Sequence, residues 1–182
     1  NAIKNKAGIE IGGPSWIFKD FNYIPIYKWI GSLDGCNFSQ TTIWEGSIEK
    51  NSPYWYYRNK YGKQFINEAS DLSFIPDETY DFIITSHCLE HIANPMKALS
   101  EWIRIIKRNG YFLIVVPNKA EMFDHNRDVT SFEHILDDYK NNTSEQDMTH
   151  LDEILSLHDL KLDPKAGTFE NFKNRSLSNF KN

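Results

Sequence analysis

Two apolar, β-branched runs, YDFIITS (Tyr80–Ser86) and YFLIVV (Tyr111–Val116), stand on either side of a segment with the period of a helix. Runs that stay apolar at successive positions belong to strands buried on both faces. Two such strands joined through a helix make a parallel crossover, and a parallel sheet needs a cover on each face. The joining segment carries its own start and stop. Asn94 is placed to cap it and Pro95 to fill its first position. Met96, Leu99, Ile103 and Ile106 recur at spacings of three, four and three, so they share one face. Lys107 and Arg108 stand where a helix dipole favours cations, and Gly110 follows as a stop.

The earlier chain repeats this alternation. Ala7–Ile11 reads as a short buried strand around Glu10, and Gly12, Gly13 and Pro14 then force an abrupt turn. Glycines let the backbone approach a ligand closely, and a carboxylate at a strand end can accept its hydrogen bonds. An ordinary tight turn accounts for the same residues. Trp29–Phe38 reads as the second strand, with Asp34 and Gly35 at its end. Asp34 lies 22 residues after Gly12, near the ~20-residue spacing at which nucleotide sites place an acid on ribose hydroxyls. Asp-Gly is equally a turn dipeptide. Residues 41–61 look loop-like and carry Trp44, Tyr54, Trp55, Tyr56, Tyr57 and Tyr61. Such rings suit an acceptor pocket, a subunit contact or, most simply, a surface loop that fills out the core. Lys63–Ala69 reads as a third strand ending at Glu68, and residues 70–78 as a loop. The fold class is therefore α/β: a doubly wound, mostly parallel sheet with ligands outside the strands' carboxyl ends.

Residues 119–163 change character, being polar, acidic and rich in histidine. Thr130 and Glu133 make a capping box for a helix facing inward through Phe132, Ile135, Leu136 and Tyr139. Thr149 is placed to cap a second, with Leu151, Ile154 and Leu155 inward. The expected arrangement is one domain: a core over residues 1–118 and a helical insertion over 119–163 lying on the acceptor side, with 164–182 as loop. The polar C-terminus leaves the last strands of such a sheet unaccounted for, as in a fragment of a longer protein. A net charge of −5 argues against a nucleic-acid partner. No apolar run reaches the ~18 residues of a membrane span. Without a signal-peptide pattern or paired cysteines, Cys36 and Cys88 read as reduced thiols of a cytoplasmic protein.

IEIGGPS, followed by the block NEASDLSFIPDETYDFIITSHCLEHIANPMKALSEWIRIIKRNGYFLIVVPN, resembles the class I S-adenosylmethionine-dependent methyltransferases, and within them the type 11 branch. The likeness covers residues 7–118, and the second block carries most of it. The resemblance implies S-adenosyl-L-methionine as cofactor. It places Glu10, Gly12 and Gly13 at the methionine end and Asp34 on the ribose hydroxyls. Glu68 falls at the adenine amino group, the Ala69 amide at an adenine nitrogen, and Asp71 and Leu72 at the adjoining wall. Ser86 and His87 fall beside the methionine portion. The usual Gly-x-Gly is Gly-Gly-Pro here, which removes one amide donor. Residues 123–155 are similar to a subgroup of bacterial enzymes of cell-surface polysaccharide and small-molecule biosynthesis, which implies a sugar or other polar small-molecule acceptor.

Methyl transfer to a hydroxyl needs alignment and a base. His125, flanked by Asp124 and Arg127, is the first candidate, with His91, His134 and His150 as alternatives. His87-Cys88-Leu89-Glu90-His91 also fits the zinc pattern H-x-x-E-H, but the flanking block explains these residues better and no metal is assigned. A non-catalytic module that binds the cofactor is the rival reading.

Overall fold

The computed structural model describes residues 2–42, 46–48 and 52–179. Trp44 lies outside them. The chain forms two units, Asn1–Val116 and Pro117–Asn182. The first contains β1 (Ala7–Ile11), β2 (Ser32–Asn37), β3 (Thr41–Thr42), β4 (Gly46–Ser47), β5 (Tyr54–Tyr57), β6 (Lys60–Gly62), β7 (Gln64–Ile66), β8 (Tyr80–Ser86), helix α1 (Pro95–Ile105) and β9 (Ile106–Val115). Five strands form one sheet in the order β7-β2-β1-β8-β9, every pairing parallel. The order reverses at β1, which opens a crevice outside the carboxyl ends of β1 and β8. The α/β expectation holds.

Each face of the sheet has its own core. On one, Ile9, Ile11, Cys36 and Ile83 pack with Trp102 and Ile105 of α1. On the other, Leu33, Phe82 and Ile84 pack with Phe18, Tyr27, Tyr54 and Tyr56. The cover on this second face is unusual. Residues 12–31 form two 3-10 turns, Trp16–Phe18 and Tyr27–Trp29. The antiparallel β5–β6 hairpin supplies the rest. The segment expected to be loop-like thus holds two short hairpins, β3–β4 and β5–β6. In β5 the side chains alternate, so Tyr54 and Tyr56 are buried while Trp55 is exposed. Gly35 makes this packing fit: a Cβ there would lie 2.2 Å from the Tyr54 ring.

α1 begins as expected, with the Asn94 side chain accepting from the Lys97 amide at 3.1 Å. Its inward face differs. Ala98, Trp102 and Ile105 are buried, whereas Ile103 is 64% exposed. The helix turns to bury its widest apolar ring, and Trp102 Nε1 donates to the Ala69 carbonyl at 3.0 Å. Lys107, Arg108 and Gly110 do not end the helix. They lie in β9, where the pairing with β8 is irregular between Tyr80 and Phe82. Lys107 serves the sheet instead. Asp81 accepts from Lys107 Nζ at 2.9 Å and from the Ala7 amide at 3.0 Å, which fastens the amino ends of β9, β8 and β1 together.

The second unit contains α2 (Phe132–Asn141), α3 (Leu151–Leu157) and α4 (Phe169–Asn179). The cap of α2 is Ser131, accepting from the His134 amide at 3.1 Å, rather than Thr130. His150, without a side-chain cap bond, precedes α3, while Thr149 turns to Asp147. Residues 164–182, expected as loop, contain α4, whose first turn is held by Thr168. Inside this unit the His158 ring stacks between Phe123 and Phe172, with centroid distances of 4.6 and 4.1 Å.

Candidate functional site

Strand register fixes which residues reach the carboxyl edge of the sheet. Ile11 is level with Cys36 and Thr85, Asn37 with Ile66, and Ser86 with Val115. The next row is therefore Gly12, Asn37, Ile66, Ser86 and Val115. Gly12 turns the chain there at φ 78°, a left-handed conformation glycine adopts without strain. Its amide donates to the Cys36 carbonyl at 2.9 Å, so the turn is tied to β2. At the end of β8, His87 is also left-handed, at φ 52°. Its amide is held by the Val115 carbonyl at 2.9 Å, and its Nδ1 lies 3.0 Å from Ser86 Oγ.

Glu10 lies one step below this edge and faces inward. Its carboxylate is fully buried and accepts three hydrogen bonds: Tyr27 Oη at 2.6 Å, Tyr54 Oη at 2.7 Å and the Ser15 amide at 2.9 Å. Burial pushes its pKa up, against the opposing effect of these donors. Burial and the adjacent carboxylate likewise raise Tyr27 far above the ordinary phenol value. Gly13 matters because a Cβ there would lie 2.2 Å from both Glu10 Cδ and Tyr54 Oη. The space that this glycine frees is filled by the protein's own side chains.

Asp34 is not at a strand end. It lies inside β2, paired with Ile9, and the strand runs on to Asn37. One carboxylate oxygen accepts from Tyr80 Oη at 2.7 Å and the other from the Lys63 amide at 2.8 Å. Alternation along paired strands sends Glu10 and Asp34 to opposite faces. Their partners agree, since Tyr27 and Tyr54 belong to one core and Tyr80 to the other. Glu10, Asp34 and Glu68 therefore do not converge as three carboxylates around one cavity.

The end of β2 instead presents Asn37, which is 1% exposed. Its Nδ2 donates to the Gly13 carbonyl at 2.9 Å, while its Oδ1 is buried without a partner among the described residues. Beyond β7, the Asp71 amide donates to the Glu68 carbonyl at 3.0 Å. The Leu72 amide donates to Glu101 at 2.9 Å and the Ala69 carbonyl is held by Trp102, so residues 68–72 are anchored on α1. The Ser73 hydroxyl, and after it the Ser73 amide, holds the Asp71 carboxyl below the usual range.

The zinc pattern does not form a helical pair. His87 is left-handed and residues 89–91 make a single 3-10 turn, with the His91 side chain 62% exposed.

In the second unit His125 is joined by a residue that sequence spacing does not suggest: its Nε2 lies 3.3 Å from Asp159 Oδ2. Asp124 and Arg127 meet through backbone only, the Arg127 amide donating to the Asp124 carbonyl. The Arg127 guanidinium pairs with Glu153 at 3.3 Å without hydrogen-bond alignment. His134 and His150 meet Nε2 to Nε2 at 3.0 Å, and His150 Nδ1 lies 3.0 Å from Glu153.

Asn37, Tyr27 and Asp159 escape the sequence reading, and Tyr54 enters it only as one ring of a loop-like segment. Asn37 was findable, because the apolar run continues through Cys36 to Phe38 and so carries the strand past Asp34. The alternation of β5 points to Tyr54. Nothing local marks Tyr27 or Asp159.

A family described as "Methyltransferase domain" matches residues 27–165. Among solved structures, the chain is similar to an arsenic(III) S-adenosylmethionine methyltransferase from Chlamydomonas reinhardtii: 18% identity, 61% of this chain, 39% of that chain, TM-score 0.43. It is also similar to a SAM-dependent methyltransferase from Aquifex aeolicus: 16% identity, 72% of this chain, 64% of that chain, TM-score 0.42. The chain spans less than half the length of the first three solved structures it matches. A comparison with curated proteins gave no match.

Proposed function

Because this chain belongs to the methyltransferase-domain family, with S-adenosylmethionine as its cofactor, we propose that it methylates a hydroxyl of a sugar or similar polar small molecule, in bacterial surface-polysaccharide or related biosynthesis. The cofactor supplies a methyl group already activated on a sulfonium, so the protein's task is to hold, align and deprotonate.

The observation that carries the reading is Asn37. It closes the carboxyl end of β2 beside the left-handed Gly12 turn, and its buried Oδ1 lacks a donor. An acceptor left so costs roughly 1–3 kcal/mol, and a ribose hydroxyl would relieve it. We therefore assign the ribose contact to Asn37 rather than to Asp34, whose oxygens are both engaged. The anchored residues Glu68, Ala69, Asp71 and Leu72 would receive the adenine, and Gly12, Ser86 and His87 the methionine portion. Glu10, with Gly13 packed over it, would support the turn from beneath. His91, in the turn that follows β8, would take the acceptor's proton.

Calorimetry with S-adenosylhomocysteine tests this. The wild type binds; Asn37→Leu weakens binding at least about tenfold, the loss of one well-placed hydrogen bond; Asp34→Asn leaves the affinity within about threefold. No binding of either nucleotide at high micromolar concentration ends the proposal. The inward-facing Glu10 also supports a second reading, a cofactor-binding module without turnover. Binding without label transfer from methyl-labelled cofactor to any compound of a broad acceptor panel would favour it.

A further inference from the structure

We propose that the cavity between residues 19–20 and the β5–β6 hairpin binds a sugar acid, with the pyranose ring on Trp55 and its carboxylate on Arg58 and Lys19. The choice of a sugar among flat anions rests on the acceptor proposed above. Every group involved belongs to the first unit.

The cavity measures about 390 Å³ and is lined by Lys19, Asp20, Trp55, Tyr56, Tyr57 and Arg58. Asp20 builds its wall. One carboxylate oxygen, Oδ2, accepts from Tyr57 Oη at 2.7 Å and from Arg58 Nη2 at 3.3 Å, which ties the segment after β1 to the hairpin. The other, Oδ1, is buried without a hydrogen-bond donor among the described residues, and Lys28 Nζ stays 3.8 Å away. Alternation along β5 buries Tyr54 and Tyr56 and turns Trp55 outward. Trp55 leans on Tyr61 across the hairpin, with ring centroids 4.8 Å apart, so the indole is braced while the residue stays 55% exposed.

The charge here runs against that of the chain. The whole sequence carries −5, yet the cavity is lined by two cations and one carboxylate. Lys28, beside Asp20, adds a third cation. Arg58 is held at the backbone and open at the tip. It takes φ 43° at the hairpin turn, its guanidinium lies over the Tyr57 ring at 5.1 Å, and its side chain is 73% exposed. Its hydrogen bond to Asp20 is long, at 3.3 Å. Lys19 Nζ makes no hydrogen bond or ion pair among the described residues.

A pyranose has an apolar C–H face and a polar rim, which suits an exposed indole beside charged groups. A guanidinium holds a carboxylate through two parallel N–H donors, more strongly than it holds a neutral hydroxyl. Binding is then an exchange. Arg58 swings from Asp20 to the ligand's carboxylate, and a ring hydroxyl donates to Asp20 in its place. Tyr57 keeps its bond to Asp20 throughout, so the wall persists. Asp20 also selects the anion. A phosphate carries about −1.5 to −2 charge at neutral pH, and a carboxylate in the same wall opposes the second charge.

Nitrogen-15 spectra of the indoles of the full chain test this, with the Trp55 signal identified by its absence from Trp55→Phe. Methyl glucuronide at millimolar concentration should shift that signal. Methyl glucoside, the same ring without the carboxylate, should bind at least about tenfold more weakly. Arg58→Gln should weaken glucuronide binding by a similar factor. Arg58 is exposed, so the variant should melt with the wild type, and an unchanged melting temperature shows that it is folded. An unmoved Trp55 signal, equal affinity for glucoside and glucuronide, or full binding by Arg58→Gln overturns the site. Tighter binding of a glucose phosphate or of uridine monophosphate overturns the choice of a sugar acid. Calorimetry with S-adenosylhomocysteine separates this proposal from the methyl-transfer reading. If that ligand binds and the glucuronide does not, this site alone fails. If the glucuronide binds and no adenosyl ligand does, the methyl-transfer reading fails and the sugar-acid site stands.

Discussion

Tyr54→Phe isolates the buried carboxylate of β1. The ring stays and only the hydroxyl goes, so the packing of Tyr54 against Gly35 and Tyr56 is kept. Glu10 Oε2 then retains one donor, Tyr27 Oη at 2.6 Å, and Oε1 retains the Ser15 amide. Depriving a buried acceptor of a donor costs about 1–3 kcal/mol. The site is fully buried, so no water replaces the donor, and the expected loss at neutral pH is about 2 kcal/mol. For a chain of this size that lowers the melting temperature by about 4–8 °C. The pH dependence gives a second check. Burial raises the pKa of Glu10 in the folded state above its unfolded value. Its contribution to stability is therefore greatest below the unfolded value and is lost as pH rises through the folded one. Removing a donor raises the folded value further. The deficit of Tyr54→Phe should be smallest in acid and should grow as pH rises through the folded value of Glu10. Urea unfolding of both proteins at several pH values measures it. A difference below about 0.5 kcal/mol, or one that does not change with pH, would refute the account of Glu10 as a clamped, ionisable acceptor.

Other consequences are simpler to check. Gly12→Ala places a side chain at φ 78° and a Cβ 3.0 Å from Cys88 Sγ, so thermal unfolding should show a loss of about 1–3 kcal/mol. Trp102→Phe removes the donor to the Ala69 carbonyl and leaves it buried without a partner. A stability loss of about 2 kcal/mol and faster amide exchange at residues 68–72 are expected, and unchanged exchange there would mean that the strap is held by other contacts.

The parallel sheet was legible because burial on both faces leaves a plain mark: β8 contains no interior charge except Asp81, and that residue sits at the amino edge, tied to Lys107. The start of α1 was legible for a similar reason, since an Asn cap and a Pro at the first position are local chemistry. What failed was decided at a distance. The face of α1 turns on Trp102 reaching a carbonyl 33 residues away. Lys107 looked like a helix end because its partner, Asp81, lies on another strand. Asp34 looked like the end of its strand because spacing along the chain says nothing of register, and register places it inside β2.

The same long-range logic explains how a carboxylate can sit one step below a ligand edge and still face the core. A helix between β1 and β2 would lay an apolar stripe over that face, and a buried Glu10 would have no donor. Here residues 12–31 contain 3-10 turns in place of an α-helix, and the β5–β6 hairpin brings Tyr54 across. Tyr27 and Tyr54 can then satisfy the carboxylate from above, with Ser15 closing the turn from the side. Glu10, Gly13, Gly35, Tyr27 and Tyr54 are thus one device. A side chain at either glycine would strike Tyr54. Its purpose is to hold the bend after Ile11 in position, and with it the Asn37 amide bound to the Gly13 carbonyl. If Asn37 holds the ribose as proposed, Tyr54→Phe should also weaken S-adenosylhomocysteine binding in calorimetry, and an unchanged affinity would uncouple the clamp from the Asn37 contact.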